Sequence, residues 1–338
     1  MFFGFSVTMT AAMRSVQTAL LDLLAFTLQE LKRLNPGLDS YEELSVENAL
    51  SRAFQKLLQR ELDPVWHQLS SKTKQLVSDL KTLRSVMTQL TQSDCVTFLS
   101  FVSALRTTEN AMRSGGWMIL DAAETLFLTA RARVFGEAGG DEVMVPKSKK
   151  VKKADSSEDM LDNVDLKMEV SPKWRALEEV LEEAKNEVKT NPDIPADGVP
   201  AEKILILTAD ERTASQLQDL LTLGHKRLMA RTFNKALGER YGRIPGVDAP
   251  LPIREVKHKG VGKKSTSLKS DSLVSPCDDS QPLVLIQATQ STSSFELGQL
   301  LSTFGPRFVV LYDIDVAAVR TLEIYSAQHP EVRRILNA

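Results

Sequence analysis

Cysteine is almost missing from this chain: Cys95 and Cys277 are the only two, far apart in the sequence. They supply neither a disulfide framework nor a metal quartet, and they suit a reducing compartment. Strong net charge is missing as well. Lysine and arginine number 42 against 44 aspartates and glutamates, a formal net of −2. No molecule-wide field draws a polyanion, so any nucleic-acid surface must be local. No apolar run approaches the ~20 residues of a membrane span. The opening Met1-Phe2-Phe3-Gly4-Phe5 is too short for a signal-peptide core before Arg14 closes it. With four histidines and no His-Glu-x-x-His pattern, a zinc centre is not expected. A soluble intracellular protein is the reading that remains. Its hydrophobic content of 42% can fill the cores of two or three domains.

Glycine and proline are scarce from Met13 to Met112, where prolines stand only at Pro36 and Pro64, and the apolar residues there recur at helical spacing. Leu20, Leu23, Leu24, Leu28 and Leu31 mark one face of a first helix, stopped by Asn35-Pro36-Gly37. Ser45 is a good N-cap for a stripe running from Val46 to Leu58. A third helix follows through Leu76, Leu80, Leu83 and Leu90, and a fourth from Val96 to Leu105. Phe5 to Thr10 alternates like a short strand. After the Gly115-Gly116 break, Trp117 to Leu120 reads as a buried strand, followed by an apolar-plus-arginine pattern from Ala122 to Val134. A strand on either side makes the helical block an insertion in an α/β domain.

Residues 137–171 read as a disordered charged linker. Lys147, Lys149, Lys150, Lys152 and Lys153 precede an acidic run, a composition that stays solvated. The lysines fit a nuclear-localisation patch and an ordinary charged linker equally well. Ser171-Pro172 then opens a helix with proline in its first turn. Lys203–Thr208, Leu283–Ile286 and Arg307–Tyr312 are aliphatic runs of the kind that form central parallel strands covered on both faces. Helices from Ala214 to Leu223 and Phe295 to Phe304 alternate with them, which gives a doubly wound α/β layout. The proline-, serine- and lysine-rich segment 240–281 reads as a long disordered loop inside this domain.

Alternating strands and helices invite a search for nucleotide machinery. The nearest string to a P-loop, Gly260-Val-Gly-Lys-Lys-Ser-Thr266, has the wrong spacing and follows no strand. Asp313 and Asp315 close a strand as a metal-binding carboxylate of an ATPase would, but acidic residues there more often cap the next helix. Asp210-Glu211 reads as a cap in the same way. His67, beside Trp66, reads as a satisfied helix histidine. Basic residues at helical spacing remain: Lys72, Lys74, Lys81 and Arg84 along the third helix, and Arg131 and Arg133 further on. Such residues line up against phosphates or simply solvate a helix.

Several longer strings carry a resemblance. Val16-Gln-Thr-Ala-Leu-Leu-Asp-Leu-Leu24, Leu62-Asp-Pro-Val-Trp-His-Gln-Leu69, Cys95-Val-Thr-Phe-Leu99 and Ala130-Arg-Ala-Arg-Val134 are similar to the helicase-like region of the xeroderma pigmentosum group F (XPF) endonuclease family. So are Leu44-Ser-Val-Glu-Asn48, Pro172-Lys-Trp174, Asp210-Glu-Arg-Thr-Ala214 and Val309-Val-Leu-Tyr-Asp313. The matches run in order from about Phe5 to Ala327.

The resemblance implies an α/β plus all-α fold, with a helical domain inserted between remnants of two RecA-like (superfamily 2 helicase-like) lobes whose ATPase motifs have decayed. The expected layout is 1–12 as the end of the first lobe, 13–114 as the helical insertion, 115–136 as the return to the first lobe, and 172–338 as the second lobe. On the same ground the first lobe's ATP-binding strands are expected upstream of Met1, and the chain is expected to stop before a last strand of the second lobe. The resemblance also implies a nuclear repair protein that meets branched or damaged DNA at single-strand/double-strand junctions. Its implied partners are a smaller excision-repair subunit, repair scaffolds and damage-recognition proteins, with no membrane.

Family members cut on the 5′ side in nucleotide excision repair and act on crosslinks and flaps. Their nuclease domain uses Mg or Mn and carries Glu-Arg-Lys-x3-Asp. Here Glu211-Arg212-Thr213 and Glu239-Arg240-Tyr241 lack the lysine, and the tandem helix-hairpin-helix is not found. No catalytic, metal or cofactor residue is therefore assigned, and the chain is expected to be inactive as a nuclease by itself. Lys72, Lys74, Lys81, Arg84, Arg131 and Arg133 are the expected DNA contacts. Two other readings stand beside this one: a protein-docking scaffold for repair factors without DNA binding, and an active ATP-dependent helicase.

Overall fold

The computed structural model of the chain describes residues 2–4, 6–36, 45–51, 53–106, 116–136, 166–190, 203–244, 247, 283–329 and 334–337. They fall into two compact units. One takes Met9–Ser171 and Met229–Val247, and the other takes Met1–Thr8, Pro172–Leu228 and Asp248–Ala338.

The first unit is helical. Its long helix α1 (Ala11–Leu34) starts where the Thr10 side chain accepts from Met13 N at 3.1 Å. It ends where Asn35 turns back to donate to Leu31 O at 2.8 Å. Val16, Leu20, Leu23, Leu24, Leu28 and Leu31 form its buried stripe, an amphipathic face that takes its stability from the helices packed on it. Those are α4 (Ser71–Gln92) and α6 (Asp121–Phe135), while α5 (Cys95–Leu105) packs on both of them. Asp94 caps α5 by accepting from Val96 N and Thr97 N, at 3.0 and 2.9 Å.

The stripe expected to be continuous from Val46 to Leu58 is broken. Ser45 does cap a helix, α2 (Val46–Ala49), but the next, α3, begins only at Phe54 (Phe54–Leu62). The Ser51 hydroxyl takes the Phe54 N–H at 3.1 Å, so a side chain competes with the helix for its backbone donor. Trp117–Ile119 is a 3₁₀ turn and not the expected strand. Gly116, at φ 100°, bends the chain into it, Trp117 is buried and Ile119 faces solvent. Residues 116–136 therefore fold with the helical unit, with α6 against α1 and α5. The end of the expected linker is ordered as well. Met168 N and Glu169 N donate to Val134 O and Arg133 O, at 3.1 and 2.9 Å, and strap 166–171 to the end of α6.

The second unit is a parallel sheet in the order β1-β5-β4-β2-β3, formed by β1 (Phe2–Gly4), β2 (Lys203–Thr208), β3 (Leu283–Ala288), β4 (Phe308–Leu311) and β5 (Arg334–Asn337). Helices α7 (Pro172–Thr190), α8 (Glu211–Leu223), α11 (Ser294–Phe304) and α12 (Val316–Gln328) belong to it. Leu205, Leu207, Val309 and Leu311 pack on Leu297 and Leu301 of α11 and on Leu322 and Tyr325 of α12. The alternate residues Ile204, Ile206, Phe308 and Val310 are buried too. Burial on both faces is why these strands read as unbroken aliphatic runs.

Three sequence expectations change here. The short strand expected at Phe5–Thr10 lies instead at Phe2–Gly4. It pairs with β5 (Phe2 opposite Ile335) and so belongs to this sheet, not to a separate first lobe. A further strand, β5, does follow β4 before Ala338. Of the segment 240–281 expected as a disordered loop, 248–281 lie outside the described residues. Residues 240–244 are ordered, because α9 (His225–Ala236) and α10 (Gly238–Tyr241) carry the chain on. There Asn234 clamps the Ile244 backbone, accepting from its N–H at 2.6 Å and donating to its carbonyl at 2.9 Å. Asp210 and Asp315 both cap helices, as the sequence suggests, accepting from Thr213 N and Ala317 N at 2.7 and 3.0 Å.

Candidate nucleic-acid interface

In a parallel sheet of this kind a ligand crevice is expected at the carboxyl ends of strands whose onward connections run to opposite sides. That place lies between β2 and β4, since β2 leads on to β3 and β4 leads to β5 on the other side. The fold fills it from within. Asp313 accepts from Ala209 N at 3.0 Å through one oxygen and from Lys173 Nζ at 3.0 Å through the other. Lys173 also donates to Tyr312 O at 3.2 Å and lies over the Tyr312 ring, 4.8 Å from its centroid. Burial, with the Asp313 carboxylate beside it, raises the Tyr312 pKa above the usual phenol range. The carboxylate thus cross-links two strand ends. Among the described residues no three His, Cys, Asp or Glu side chains gather as metal ligands, and no helix is long and apolar enough to cross a membrane.

The basic residues of the helical unit are sorted by the fold. Lys74, Lys81 and Arg84 lie at spacings of seven and three along α4 and so share a face. That face lines a cleft of about 360 Å³ against α3, floored by Phe54, Leu58 and Leu62. The turn from α3 to α4, through the 3₁₀ residues Asp63–Val65, sets Trp66 on its rim. Trp66 is 40% exposed, and Lys74 Nζ stands 5.7 Å from its ring centroid. Lys81 is exposed, and among the described residues no carboxylate pairs with it. Arg84 is partly committed elsewhere. It donates to Ser51 O at 2.6 Å, lies 5.5 Å from the Phe54 ring centroid, and its pKa is lowered by desolvation.

The other three expected contacts are not brought to this cleft. Lys72 reaches Glu30 on α1 at 3.4 Å. Glu30 is held below the usual carboxylate range first by its hydrogen bond from Arg33 and then by Lys72. Arg131, on α6, lies over Phe135 at 5.8 Å. Arg133 is 1% exposed: its guanidinium pairs with Glu169 and lies against the Phe98 ring. A group so enclosed does not reach a phosphate, so Arg133 departs from its expected role because the strap covers it. The lysines 147, 149, 150, 152 and 153 lie outside the described residues. His67 stands in the exposed turn, bonded to Gln68, and not in a helix.

Trp66 is the site residue that sequence reasoning passes over. Its signal was there: an aromatic after Pro64 in a turn, with lysines in the first turn of the helix that follows. Cations beside an accessible ring are a chemistry for phosphates and bases.

No family profile matches the chain. It is 34% identical to the DNA repair endonuclease XPF of Cricetulus griseus, an alignment that takes in 96% of this chain and 42% of that protein. Identity to the Mus musculus protein of the same name is 33% with the same coverage. The DNA repair protein rad16 of Schizosaccharomyces pombe is 28% identical, again over 96% of this chain and 42% of the relative. The chain spans about two fifths of the length of these curated relatives.

Proposed function

Because this chain is homologous to the XPF-type DNA repair endonucleases along almost its whole length, we propose that it is the helicase-like, DNA- and protein-binding portion of a structure-specific repair nuclease. It acts in the nucleus and runs no ATP chemistry of its own. The helical unit stands as an insertion in a helicase-derived α/β frame. The observation that carries the DNA reading is the cleft where Lys74 and Lys81 converge beside Trp66. Lys72, on the same helix, and Arg131 extend the basic surface, and Arg84 serves mainly to hold the cleft's shape. Asp313 supports the reading without ATP, since both its oxygens are engaged by the fold.

Fluorescence anisotropy of the chain with a labelled forked DNA across a salt series tests the proposal. Four phosphate contacts, from Lys72, Lys74, Lys81 and Arg131, give a slope of log affinity against log salt of about −3 to −4. The double variant Lys74→Glu/Lys81→Glu is expected to flatten that slope by about one to two and to weaken binding on all sequences alike. An unchanged slope sinks the assignment.

A second reading, docking of repair proteins, is favoured by one observation. Phe295, Ile314 and Val316 are exposed at the carboxyl ends of β3 and β4. Capture of repair proteins by a chain that binds no DNA would support it.

A further inference from the structure

We infer that the α3/α4 cleft takes an unpaired nucleotide, with the base stacked on Trp66 and the phosphate against Lys74 and Lys81; this rests on the DNA reading above and sharpens it to single strands. A phosphate-reading surface needs only cations. This one holds an accessible indole among them, at the tip of a turn whose residues from Asp63 to Gln68 are all exposed. Duplex DNA keeps its base faces stacked on one another, so the ring has no partner there. A single strand offers them freely, and stacking on an aromatic side chain is tolerant of sequence.

The charge around the ring suits the same occupant. Lys74, Lys81 and Arg84 line the cleft against a single carboxylate, Asp63. Lys74, already 5.7 Å from the indole centroid, places an ammonium where the phosphate adjoining a stacked base would lie. An apolar side chain from a protein partner finds less. Phe54, Leu58, Leu62 and Leu80, which form the floor, are each almost wholly buried by the unit's own helices. They expose little surface for an anchor, whereas protein hot spots fill desolvated pockets.

The chain has three tryptophans, and Trp117 and Trp174 are buried, so quenching by an added oligonucleotide reports on Trp66. The test titrates the full chain with oligothymidine and, separately, with a duplex of equal length. It follows both intrinsic fluorescence and anisotropy for wild type, Trp66→Ala and Trp66→Phe, with circular dichroism to confirm folding. The expected result is quenching by oligothymidine and about a tenfold loss of single-strand affinity in Trp66→Ala, the range that loss of one stacked base brings. Trp66→Phe is expected to lose the quenching and keep part of the affinity. Duplex affinity should stay within about twofold in both variants, since it rests on phosphate contacts.

Equal binding by wild type and Trp66→Ala on both DNA forms overturns the inference and leaves the DNA reading standing. Absence of binding to either form overturns both. If neither form binds while an acidic amphipathic peptide quenches Trp66, the cleft is a protein groove and the inference is equally overturned.

Discussion

The α/β unit and the helical unit handle charge in opposite ways. In the first, Lys173 and Asp313 meet each other and the backbone at two strand ends, and both are largely enclosed. In the second, Lys74 and Lys81 are held along a helix face with no carboxylate partner among the described residues. Charge satisfied by the fold stabilises the fold, while charge left unmatched beside a cleft is available to a ligand. The distinction also cuts through the helical unit, because Arg133 is enclosed with Glu169 while Lys81 is exposed. Residue type alone does not separate these roles; the partner does.

Breaking the internal pairs should cost stability in proportion to their burial. Arg133→Ala is expected to have the largest effect, about 3–5 kcal/mol, because it leaves the Glu169 carboxylate largely enclosed without its partner. Chemical denaturation reads it, and an unchanged midpoint would show that the pair is ornamental. Asp313→Ala should come next, at roughly 1–3 kcal/mol, through loss of the Ala209 N–H bond and the Lys173 pair. Its affinity for forked DNA should equal that of wild type; a loss there would make the sheet's carboxyl edge part of the DNA site.

The smallest effect belongs to the exposed capping box of α11, where Ser293 and Glu296 bond reciprocally. Hydrogen bonding from the Ser293 backbone and hydroxyl holds the Glu296 carboxyl below its ordinary value. The contribution is therefore present above the unfolded carboxylate's pKa and fades as pH falls through the folded one. The melting difference between wild type and Ser293→Ala should shrink on acidification below about pH 4.5. A difference that stays constant would remove Glu296 from the box.

Much of the architecture is legible in the sequence wherever one face, or both, must be dry. The stripe of α1 and the aliphatic runs of β2, β3 and β4 read directly. The break between α2 and α3 does not, because the apolar spacing continues through a place where one serine hydroxyl diverts the backbone. Trp117–Ile119 looks like a strand by composition, yet Gly116 turns it, and among the described residues no strand pairs with it. Helix α9, with its mixed charges, gives a weak pattern beside the segment it leads into. The cations of the site were readable as a set. Which of them face outward is decided by Glu169 and Glu30, which arrive from distant segments. Trp66 was concealed by its company, since one indole in a turn signals nothing until a cleft opens beside it.

The pairing of β1 with β5 has a consequence in time. Phe2 lies opposite Ile335, so β1 and the strand that completes its edge are made about 330 residues apart. At about 5–20 residues per second, β1 waits on the order of half a minute for that edge. The helical unit draws on Met9–Ser171 and Met229–Val247, all made before β5, and can close meanwhile. The sheet is thereby finished only once β5 has been made, and a chain still short of β5 carries a folded helical unit and an incomplete sheet.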